Sequence, residues 1–481
     1  MNLAVHGLEG NIQKAITYYE DPHELFGKSD FVMANPPFNV DEVDADKVKN
    51  DPRLPFGLPG VNKKGAVSNG NYLWISYFYS YLNAHGRAGF VMSSQASSAG
   101  RDEATVRRKL VETGPVDVMI AIRSNFFYTR TVPCELWVFD KDKPEHLRDK
   151  VLMIDARNIY RKVTRKIYDF SPEHLQNLTA IVWLYREKTD KFLGLVKGYL
   201  DAVGQECALI PDTLHQFEHT LRMLREKLAA LNAGSVASEQ NGANPQQAFI
   251  QARTELLEAE KPYESDQSLL MQELEAYRRH IGKTPLTTNA QQHKARQAFD
   301  PIAERIKGII KQVDLLYKLA TRVADAASEL ANASIPPFGK GGKREARGDF
   351  VASESEGMNG YDRRGLAKLI KQLDEERKNA VEQLRQAVYF HRQVAWLQER
   401  FPDAKLQAVP GLVKLVDRKE IAAADWSLTP GRYVGVAPPE EDEDFDFEET
   451  LRDIHIELAS LNDEAVELAR KIQENFAELG V

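Results

Sequence analysis

Residues 35–38 place an amide, two rigid backbone positions and an aromatic ring directly after a short apolar run, residues 29–34. Pro36 and Pro37 fix their own φ and keep the preceding residues out of the helical region. An exocyclic amino group on a nucleobase is a poor nucleophile, because its lone pair is delocalised into the ring. The Asn35 side-chain oxygen and a proline carbonyl could hold the two amino hydrogens and aim the lone pair at a methyl donor, and the prolines would keep this acceptor pair in place.

Phe38 could complete such a site by stacking on a base. Enzymes that act on a base must take it out of the duplex, and the flipped base then needs an aromatic or apolar surface. The carboxyl end of a strand is also where open α/β sheets bind ligands. The alternative interpretation is a loop in which the prolines merely end a strand and Phe38 caps the core.

A second Pro-Pro-Phe stretch, Pro336 to Phe338, serves as a control within the chain. It follows an Ala-rich helical pattern and leads into Gly and Lys. No apolar strand precedes it, and Ile335, in the position of Asn35, has no side-chain acceptor. We therefore interpret this second copy as a linker.

The elements around the first site alternate between strand and helix up to about residue 190, which favours an α/β domain with a mostly parallel sheet. Strands are predicted at 29–35, 87–94, 116–122, 134–142 and 150–157, and helices at 71–86 and 101–114. The sequence from Gly86 to Gly89 is interpreted as a turn between a helix and a strand.

The pattern changes at about residue 190, where apolar residues begin to recur at spacings of three and four. Three such stripes, near residues 217–231, 316–330 and 366–387, predict a long helical region over 200–405 with at least one hairpin-like coiled coil. Arg377 interrupts the third stripe. The tail contains a compact loop at 425–435, an acidic stretch at 438–449 and an amphipathic helix at 450–479.

Composition sets broad limits on function. The length of 481 residues suggests more than one domain, and a composition of 43% hydrophobic and 28% charged residues is typical of a soluble protein. The formal net charge of −8 gives no sign of nucleic-acid binding by overall charge. Cys134 and Cys207 form no Cys/His cluster, so no zinc site is predicted and a reducing setting is favoured. Without a signal peptide or an apolar run of about 20 residues, a cytoplasmic protein without a membrane span is expected.

Several stretches of the sequence together resemble the modification (methyltransferase) subunits of type I restriction–modification systems, within the N6-adenine DNA methyltransferases. They are MNLAVHGLEGNI (1–12), SDFVMANPPFNV (29–40), GRAGFVMSSQASSAG (86–100), FFYTRTVPCELWVFDKDK (126–143), VLMIDARN (151–158) and WSLTPGRYVG (426–435). The resemblance covers residues 1–190 and 405–481.

The resemblance implies a partial Rossmann-like class I methyltransferase sheet over 1–190, a helical region over 191–405, and a C-terminal loop and subunit-docking helix over 406–481. It further implies that Asn35 and the Pro36 carbonyl hold adenine N6, that Pro37 keeps the loop rigid, and that Phe38 stacks on the ring. The aromatic residues Phe126, Phe127 and Tyr128 form another wall of the base pocket or, alternatively, pack in the core. S-adenosylmethionine is the expected methyl donor. A specificity subunit, a restriction subunit and double-stranded DNA are the expected partners, with no membrane.

One departure from the family is large. Family members carry an N-terminal helical domain, a Gly-rich cofactor loop after their first strand and an acidic residue after the second, and this chain shows none of these. In the family's third-strand block, Ile16 stands where the usual Asp would be expected, with Glu20 and Asp21 as the nearest substitutes. We therefore expect a fragment or half of a split subunit that, in isolation, binds S-adenosylmethionine weakly or not at all. A truncated, non-catalytic assembly protein is the alternative hypothesis.

Two further charged stretches and three histidines are interpreted as structural or solvated. The basic loop 340–347 could contact phosphate, but short basic loops are usually exposed surface. The acidic stretch 438–449 could mimic the charge of DNA, but we interpret it as a solvated linker. His85, His219 and His391 have no paired ligands.

Overall fold

The computed structural model describes residues 2–127, 131–164, 167–229, 245–333 and 362–437, together with positions 455, 458, 462, 465, 466 and 468–470. The strands are β1 (Ser29–Ala34), β2 (Val43–Asp44), β3 (Ala66–Val67), β4 (Leu82–Ser93), β5 (Val116–Ile122), β6 (Cys134–Asp140), β7 (Lys150–Asp155), β8 (Arg161–Thr164), β9 (Ile167–Asp169) and β10 (Val413–Asp417). The helices are α1 (Asn2–Val5), α2 (Ala45–Val48), α3 (Asn71–Tyr81), α4 (Arg101–Glu112), α5 (Pro172–Tyr185), α6 (Thr189–Ala229), α7 (Pro245–Lys283), α8 (Asn289–Ala333), α9 (Arg363–Arg400) and α10 (Arg418–Ala423).

Six strands form the central sheet in the order β1-β4-β6-β5-β7-β10. The pairs β1–β4 and β5–β7 are parallel, whereas β6 is antiparallel to both neighbours and β10 is antiparallel to β7. The α/β class followed by long helices is thus confirmed, but the sheet is mixed rather than mostly parallel. The connection from Ile122 to Cys134 is too short for the helical crossover that a parallel β5–β6 pair needs.

Helices cover the two faces of this sheet unequally. On one face, α3, α4 and residues 426–434 enclose a core centred on Trp137, which is fully buried and stacks at 6.0 Å on Phe90. On the other face, α5 and α6 cover the β5–β7 half, where Val118, Leu152 and Ile154 are buried. This packing leaves the β1–β4 half of the second face without a helix among the described residues.

The boundary between α3 and β4 corrects the prediction of a helix over 71–86. The helix ends at Tyr81 and the strand begins at Leu82, because Leu82 pairs with Ser29 at the start of β1. Gly86 and Gly89 therefore lie within β4 and do not form a turn. Gly86 approaches β1 so closely that a Cβ atom there would lie 2.7 Å from the Ser29 carbonyl oxygen.

The long helical region is present as predicted, with α6 packed against α9 and α7 against α8. The predicted stripes supply its core, with buried residues that include Phe217, Leu221, Leu224, Leu228, Leu316, Val323, Leu330, Leu366, Leu373, Leu384 and Ala387. Arg377, which interrupts one stripe, forms ion pairs with Asp314 at 2.6 Å and Asp374 at 2.8 Å. His391 is buried against Asp300 at 2.8 Å, consistent with a structural role.

Several sequence predictions fall on residues that the structure does not describe. These are Pro336 to Phe338, the basic loop 340–347, the acidic stretch 438–449 and most of the helix at 450–479. The described positions between 455 and 470 are helical, with Leu458 and Leu468 exposed. Across the described helices, no stretch is both long enough and apolar enough to span a bilayer.

Candidate active site

The Asn-Pro-Pro-Phe loop leaves the carboxyl end of β1 as predicted. Ala34, the last residue of β1, lies beside Phe90 of β4, and the chain then turns out of the sheet. Asn35 and Pro37 are exposed, Pro36 is buried and Phe38 is half-buried. Because the residue before a proline is held extended, Asn35 presents its amide at the edge of the sheet rather than folding into a turn.

A network of three asparagine amides fixes the far side of this loop. Asn39 has a positive φ of 54°, which asparagine tolerates better than most residues. The Asn71 side-chain oxygen accepts a hydrogen bond from the Asn39 N–H at 2.8 Å, and the Asn71 amide donates to the Asn39 side-chain oxygen at 2.9 Å. Asn69 donates to the same oxygen at 3.1 Å. The amino terminus of α3 thereby holds the loop immediately after Phe38.

Replacing Asn71 with alanine is expected to loosen this loop and to lower the free energy of unfolding by about 1–3 kcal/mol, because Asn71 is buried and both its amide groups are bonded to Asn39. Hydrogen exchange over residues 36–41 should accelerate. Asn62→Ala is the matched control, since Asn62 caps a separate exposed turn through Lys64 and Ala66. Equal exchange in residues 36–41 of Asn71→Ala and wild type would contradict the role of the network.

The structure places the aromatic residues that were predicted to form one wall of the base pocket in different surroundings. The ring of Phe127 lies 6.5 Å from that of Phe38 in an edge-to-face arrangement, so these two residues share the carboxyl edge of the sheet. Phe126 instead packs against Phe170 at 4.7 Å. Tyr128 lies outside the described residues. Phe127 thus remains a candidate wall residue, whereas Phe126 has the packing partner that the alternative interpretation required.

Positive charge borders the same edge. Arg123 directly follows β5, and its guanidinium lies 4.4 Å from the ring centroid of Tyr160 and 4.9 Å from that of Tyr168. The β8–β9 hairpin adds the exposed residues Arg161 and Lys162, with Arg161 paired to Asp169 at 2.7 Å. Side chains of this type bind phosphate groups, so the edge suits a polyanion better than the net charge of the chain indicated.

Glu135 is a buried carboxyl group at the beginning of β6, where β4 and β5 end. It is 1% exposed, and its Oε2 has no hydrogen-bond partner among the described residues. Burial raises the pKa of Glu135 to about 8, with Asp155 adding to the effect and Ser97 and Arg157 opposing it. The group is therefore largely protonated at neutral pH.

This pKa predicts that stability falls as pH rises between about 4.5 and 8. In that window folded Glu135 keeps a proton that the unfolded chain has lost, so each pH unit lowers the free energy of unfolding by up to ~1.4 kcal/mol. Urea unfolding of wild type and Glu135→Gln at several pH values should show a smaller decline in the variant, which cannot ionise. Parallel curves for the two proteins would contradict the raised pKa.

The C-terminal segment closes the other side of this region. Leu428 donates its N–H to the Ser97 carbonyl at 2.8 Å, and the Ser97 and Thr429 hydroxyl groups lie 2.6 Å apart. Arg107 of α4 donates to the Trp426 and Ala99 carbonyls, both at 2.6 Å. Residues 426–434 therefore belong to the packing around the sheet and hold the loop that follows β4.

A cofactor site is not enclosed by the described residues. No glycine-rich turn follows a described strand at the carboxyl edge, and Gly86 and Gly89 lie in β4. A cavity of about 240 Å³ opens at the opposite edge, beside Asp117 and Asp140. Its charges already pair internally, with Arg186 2.5 Å from Asp117 and Arg87 2.9 Å from Asp140. The described side chains thus do not by themselves fit S-adenosylmethionine, and they include no group that could hold a metal ion.

Sequence reasoning missed the asparagine network and Glu135. Asn39 and Asn71 are 32 positions apart, and no periodicity relates them. Asn39, one residue after Phe38, offered a weak signal, because Asn favours the left-handed conformation that ends tight turns. Glu135 offered another, since a carboxylate inside an otherwise apolar strand must be buried or at an edge.

Comparison with known proteins relates the first part of the chain to a protein family. Residues 1–199 match the N-6 DNA methylase family. The MjaIX methylase subunit of a type I restriction enzyme from Methanocaldococcus jannaschii is 38% identical over 195 residues, which is 40% of this chain and 34% of that protein. The HindI methylase subunit from Haemophilus influenzae is 27% identical over 180 residues, 37% of this chain and 39% of that protein.

A solved structure similar to this chain is also a subunit of this kind. The methyltransferase subunit of a type I restriction–modification system from Streptococcus thermophilus superposes with a TM-score of 0.33 and 24% identity, over 37% of each chain. The matched regions span between a third and two fifths of the two curated relatives. The resemblance predicted from the sequence is confirmed: residues 1–199 are similar to N-6 DNA methylases, including methylase subunits of type I restriction enzymes.

Proposed function

We propose that this chain carries the base-binding part of an adenine-N6 DNA methyltransferase, as a modification subunit of a type I restriction–modification system. The observation that carries the proposal is the Asn35–Phe38 loop, exposed at the carboxyl end of β1 and fixed by Asn39 and Asn71. The similarity of residues 1–199 to N-6 DNA methylases supports it.

In this proposal the chain binds a flipped adenine and prepares its amino group. The Asn35 side-chain oxygen and the Pro36 carbonyl accept the two N6 hydrogens, so that the nitrogen lone pair is aimed at the methyl donor. Phe38 stacks on the base and Phe127 supports it from the side. Arg123 and the β8–β9 hairpin lie on the same edge and can contact the phosphates of the DNA strand that carries the flipped adenine.

S-adenosylmethionine is the proposed methyl donor, and transfer is direct, without a covalent enzyme intermediate. Cys134 and Cys207 are both buried and neither lies in the loop, which argues against the covalent route used for carbon methylation. We propose that the active form is a complex. Its members are a specificity subunit, which reads the DNA sequence, and a restriction subunit.

The segment 450–479, predicted from the sequence to be an amphipathic helix, is the proposed docking element for the specificity subunit. Its exposed apolar residues Leu458 and Leu468 are consistent with a partner surface. Deletion of 450–481 should abolish co-purification of the two subunits, and a complex that survives the deletion would exclude this role.

Replacement of Phe38 tests the proposal directly. Stacking on an aromatic side chain is worth ~1–3 kcal/mol per base, so Phe38→Ala should lower labelled-methyl transfer from S-adenosylmethionine to DNA by roughly 5- to 150-fold in the reconstituted complex. Phe38→Tyr keeps the ring and should retain most activity. Equal activity of Phe38→Ala and wild type would contradict a stacking role.

A non-catalytic assembly protein is the second candidate. In this candidate the packed helices α6, α7, α8 and α9 serve assembly alone. The two candidates differ in one outcome, because an assembly protein would support complex formation equally well with or without Asn35 and Phe38, and no methyl transfer would depend on either residue.

A further inference from the structure

Arg123 lies in a corner formed by two tyrosine rings at the carboxyl edge of the sheet. Its guanidinium carbon is 4.4 Å from the ring centroid of Tyr160 and 4.9 Å from that of Tyr168. The two rings meet edge to face, with their centroids 5.0 Å apart and their planes at 86°. Aromatic rings attract a guanidinium through their negative faces, while the N–H groups in the plane of the guanidinium stay available. The rings therefore hold the cation without using its hydrogen-bond donors.

The donors of Arg123 have no partner within the described part of the chain. The side chain is half-buried, yet no carboxylate or carbonyl of the described residues accepts a hydrogen bond from its guanidinium. Asp169, on the same hairpin as Tyr168, is already bonded to Arg161 through both carboxylate oxygens, at 2.9 and 2.7 Å. A half-buried guanidinium with available donors and no neutralising partner is prepared to bind an anion.

The β8–β9 hairpin also fixes the backbone that carries Arg123. Tyr168 donates its N–H to the Asn125 carbonyl oxygen at 3.0 Å, and the Phe126 ring packs on that of Phe170 at 4.7 Å. Asn125 has a positive φ of 69°, a conformation that asparagine adopts more easily than most residues and that turns the chain at this point. The hairpin thus positions both the backbone and the guanidinium of Arg123.

The surroundings of Arg123 indicate a phosphate group of DNA as the anion. Phe127 follows Arg123 by four residues, which span at most ~14 Å, and its ring lies 6.5 Å from that of Phe38. Because one sugar joins each base to its phosphates, a base stacked on Phe38 brings a phosphate within reach of this loop. The exposed residues Arg161 and Lys162 continue the positive charge along the hairpin, which suits a polyanion better than a single small anion.

We propose that Arg123 binds one phosphate group of the DNA strand that carries the target adenine, and that Tyr160 and Tyr168 are positioning residues that hold its guanidinium for this contact. The identity of the ligand rests on the proposed function. Because the rings place the cation before DNA arrives, little conformational freedom is lost when the phosphate binds. Removal of the two rings should therefore weaken DNA binding in the same way as removal of the charge.

The dependence of DNA affinity on salt concentration tests this proposal. Binding of a fluorescent duplex by the reconstituted complex is followed by anisotropy between about 50 and 200 mM salt. One phosphate contact contributes ~0.9 to the magnitude of the slope of log affinity against log salt concentration, so Arg123→Gln should reduce the slope by ~0.9. Replacement of both tyrosines by leucine should reduce it similarly, whereas replacement of both by phenylalanine, which keeps the rings, should leave it unchanged.

Arg108→Gln is the matched control for the loss of charge. Arg108 also lies over an aromatic ring, 5.3 Å from the ring centroid of Trp426, but it is on α4 and pairs with Glu112. This variant should have the slope of wild type. A lower slope in Arg108→Gln, equal to that of Arg123→Gln, would mean that the slope reports the total charge and would overturn the proposal.

A combined variant separates positioning from a general loss of structure. If the tyrosines act through Arg123, the two leucine substitutions should cause no further change in slope when they are added to Arg123→Gln. The KM for DNA should rise at least ~3-fold in Arg123→Gln and in the leucine variant, with kcat within about twofold of wild type, because the phosphate contact is the same before and during methyl transfer.

Four further outcomes would overturn the proposal. They are a wild-type slope in Arg123→Gln, equal losses in the phenylalanine and leucine variants, a further loss in the combined variant, and Arg123-dependent binding of inorganic phosphate with an unchanged DNA slope, which would assign the cation to a small phosphate compound. The proposed function fails separately. An Arg123-dependent slope without methyl transfer would contradict the proposed function and support the phosphate contact, whereas methyl transfer with an unchanged slope would contradict the phosphate contact alone.

Discussion

Alanine at position 35 is expected to lower adenine methylation by the reconstituted complex by roughly 10²–10³-fold, the usual cost of removing one preorganised polar group from a reacting centre. Asn35 is exposed at the end of β1, and the prolines after it limit how far another group could move to replace its oxygen. DNA binding should change little, because phosphate contacts supply most of that affinity.

Asn83→Ala is the matched control for this prediction. Asn83 lies on β4, next to β1, but at the opposite end of the strand pair, where its amide donates to Asp30. Its loss should leave methylation within a few-fold of wild type. Comparable losses in the two variants would mean that Asn35 acts through folding, and unchanged methylation in Asn35→Ala would refute its assigned role.

Arg107→Met is expected to lower the free energy of unfolding of the α/β part by about 3–5 kcal/mol, the largest stability effect predicted for a single polar side chain here. Arg107 is 2% exposed and donates to the Trp426, Ala99 and Tyr72 oxygens. Methionine fills similar space but leaves these buried acceptors unpaired. Because Arg107 joins α4 to the C-terminal segment, residues 425–434 should also exchange faster.

The adjacent residue offers a close control. Arg108 is exposed, pairs with Glu112 at 2.8 Å and lies 5.3 Å from the Trp426 ring. Arg108→Met should cost no more than about 1 kcal/mol, as exposed pairs usually do. Urea unfolding followed by tryptophan fluorescence measures both variants, and equal midpoints for the two would contradict the structural role of Arg107.

The sequence predicted those strands and helices whose apolar residues follow a clear local pattern. The apolar run at 116–122 is β5, and the stripes through Phe217, Leu316 and Leu373 are buried helix seams. The boundary at Leu82 could not be predicted, because Leu82 continues the helical spacing of α3 and its strand pairing with Ser29 comes from 53 positions away. Strand β10 was missed for a similar reason, since its partner β7 lies more than 250 residues earlier.

The candidate site likewise has features that could be predicted from the sequence and features that could not. The position of Asn35 at a strand end followed from the apolar run before it. The different surroundings of Phe126 and Phe127 could not be predicted, because neighbouring aromatic residues look alike until the sheet places one ring near Phe38 and the other near Phe170. The bonds between Asn39 and Asn71 likewise depend on how α3 meets β1, which no short stretch encodes.

The proposed function is tested most directly by identifying the base that the complex methylates. DNA treated with the reconstituted complex and S-adenosylmethionine is digested to nucleosides and measured by mass spectrometry, with wild type and Asn35→Ala in parallel. We predict N6-methyladenine from wild type and a loss of roughly 10²–10³-fold in the variant. A methylated cytosine, no methylated base, or equal N6-methyladenine from both proteins would contradict it.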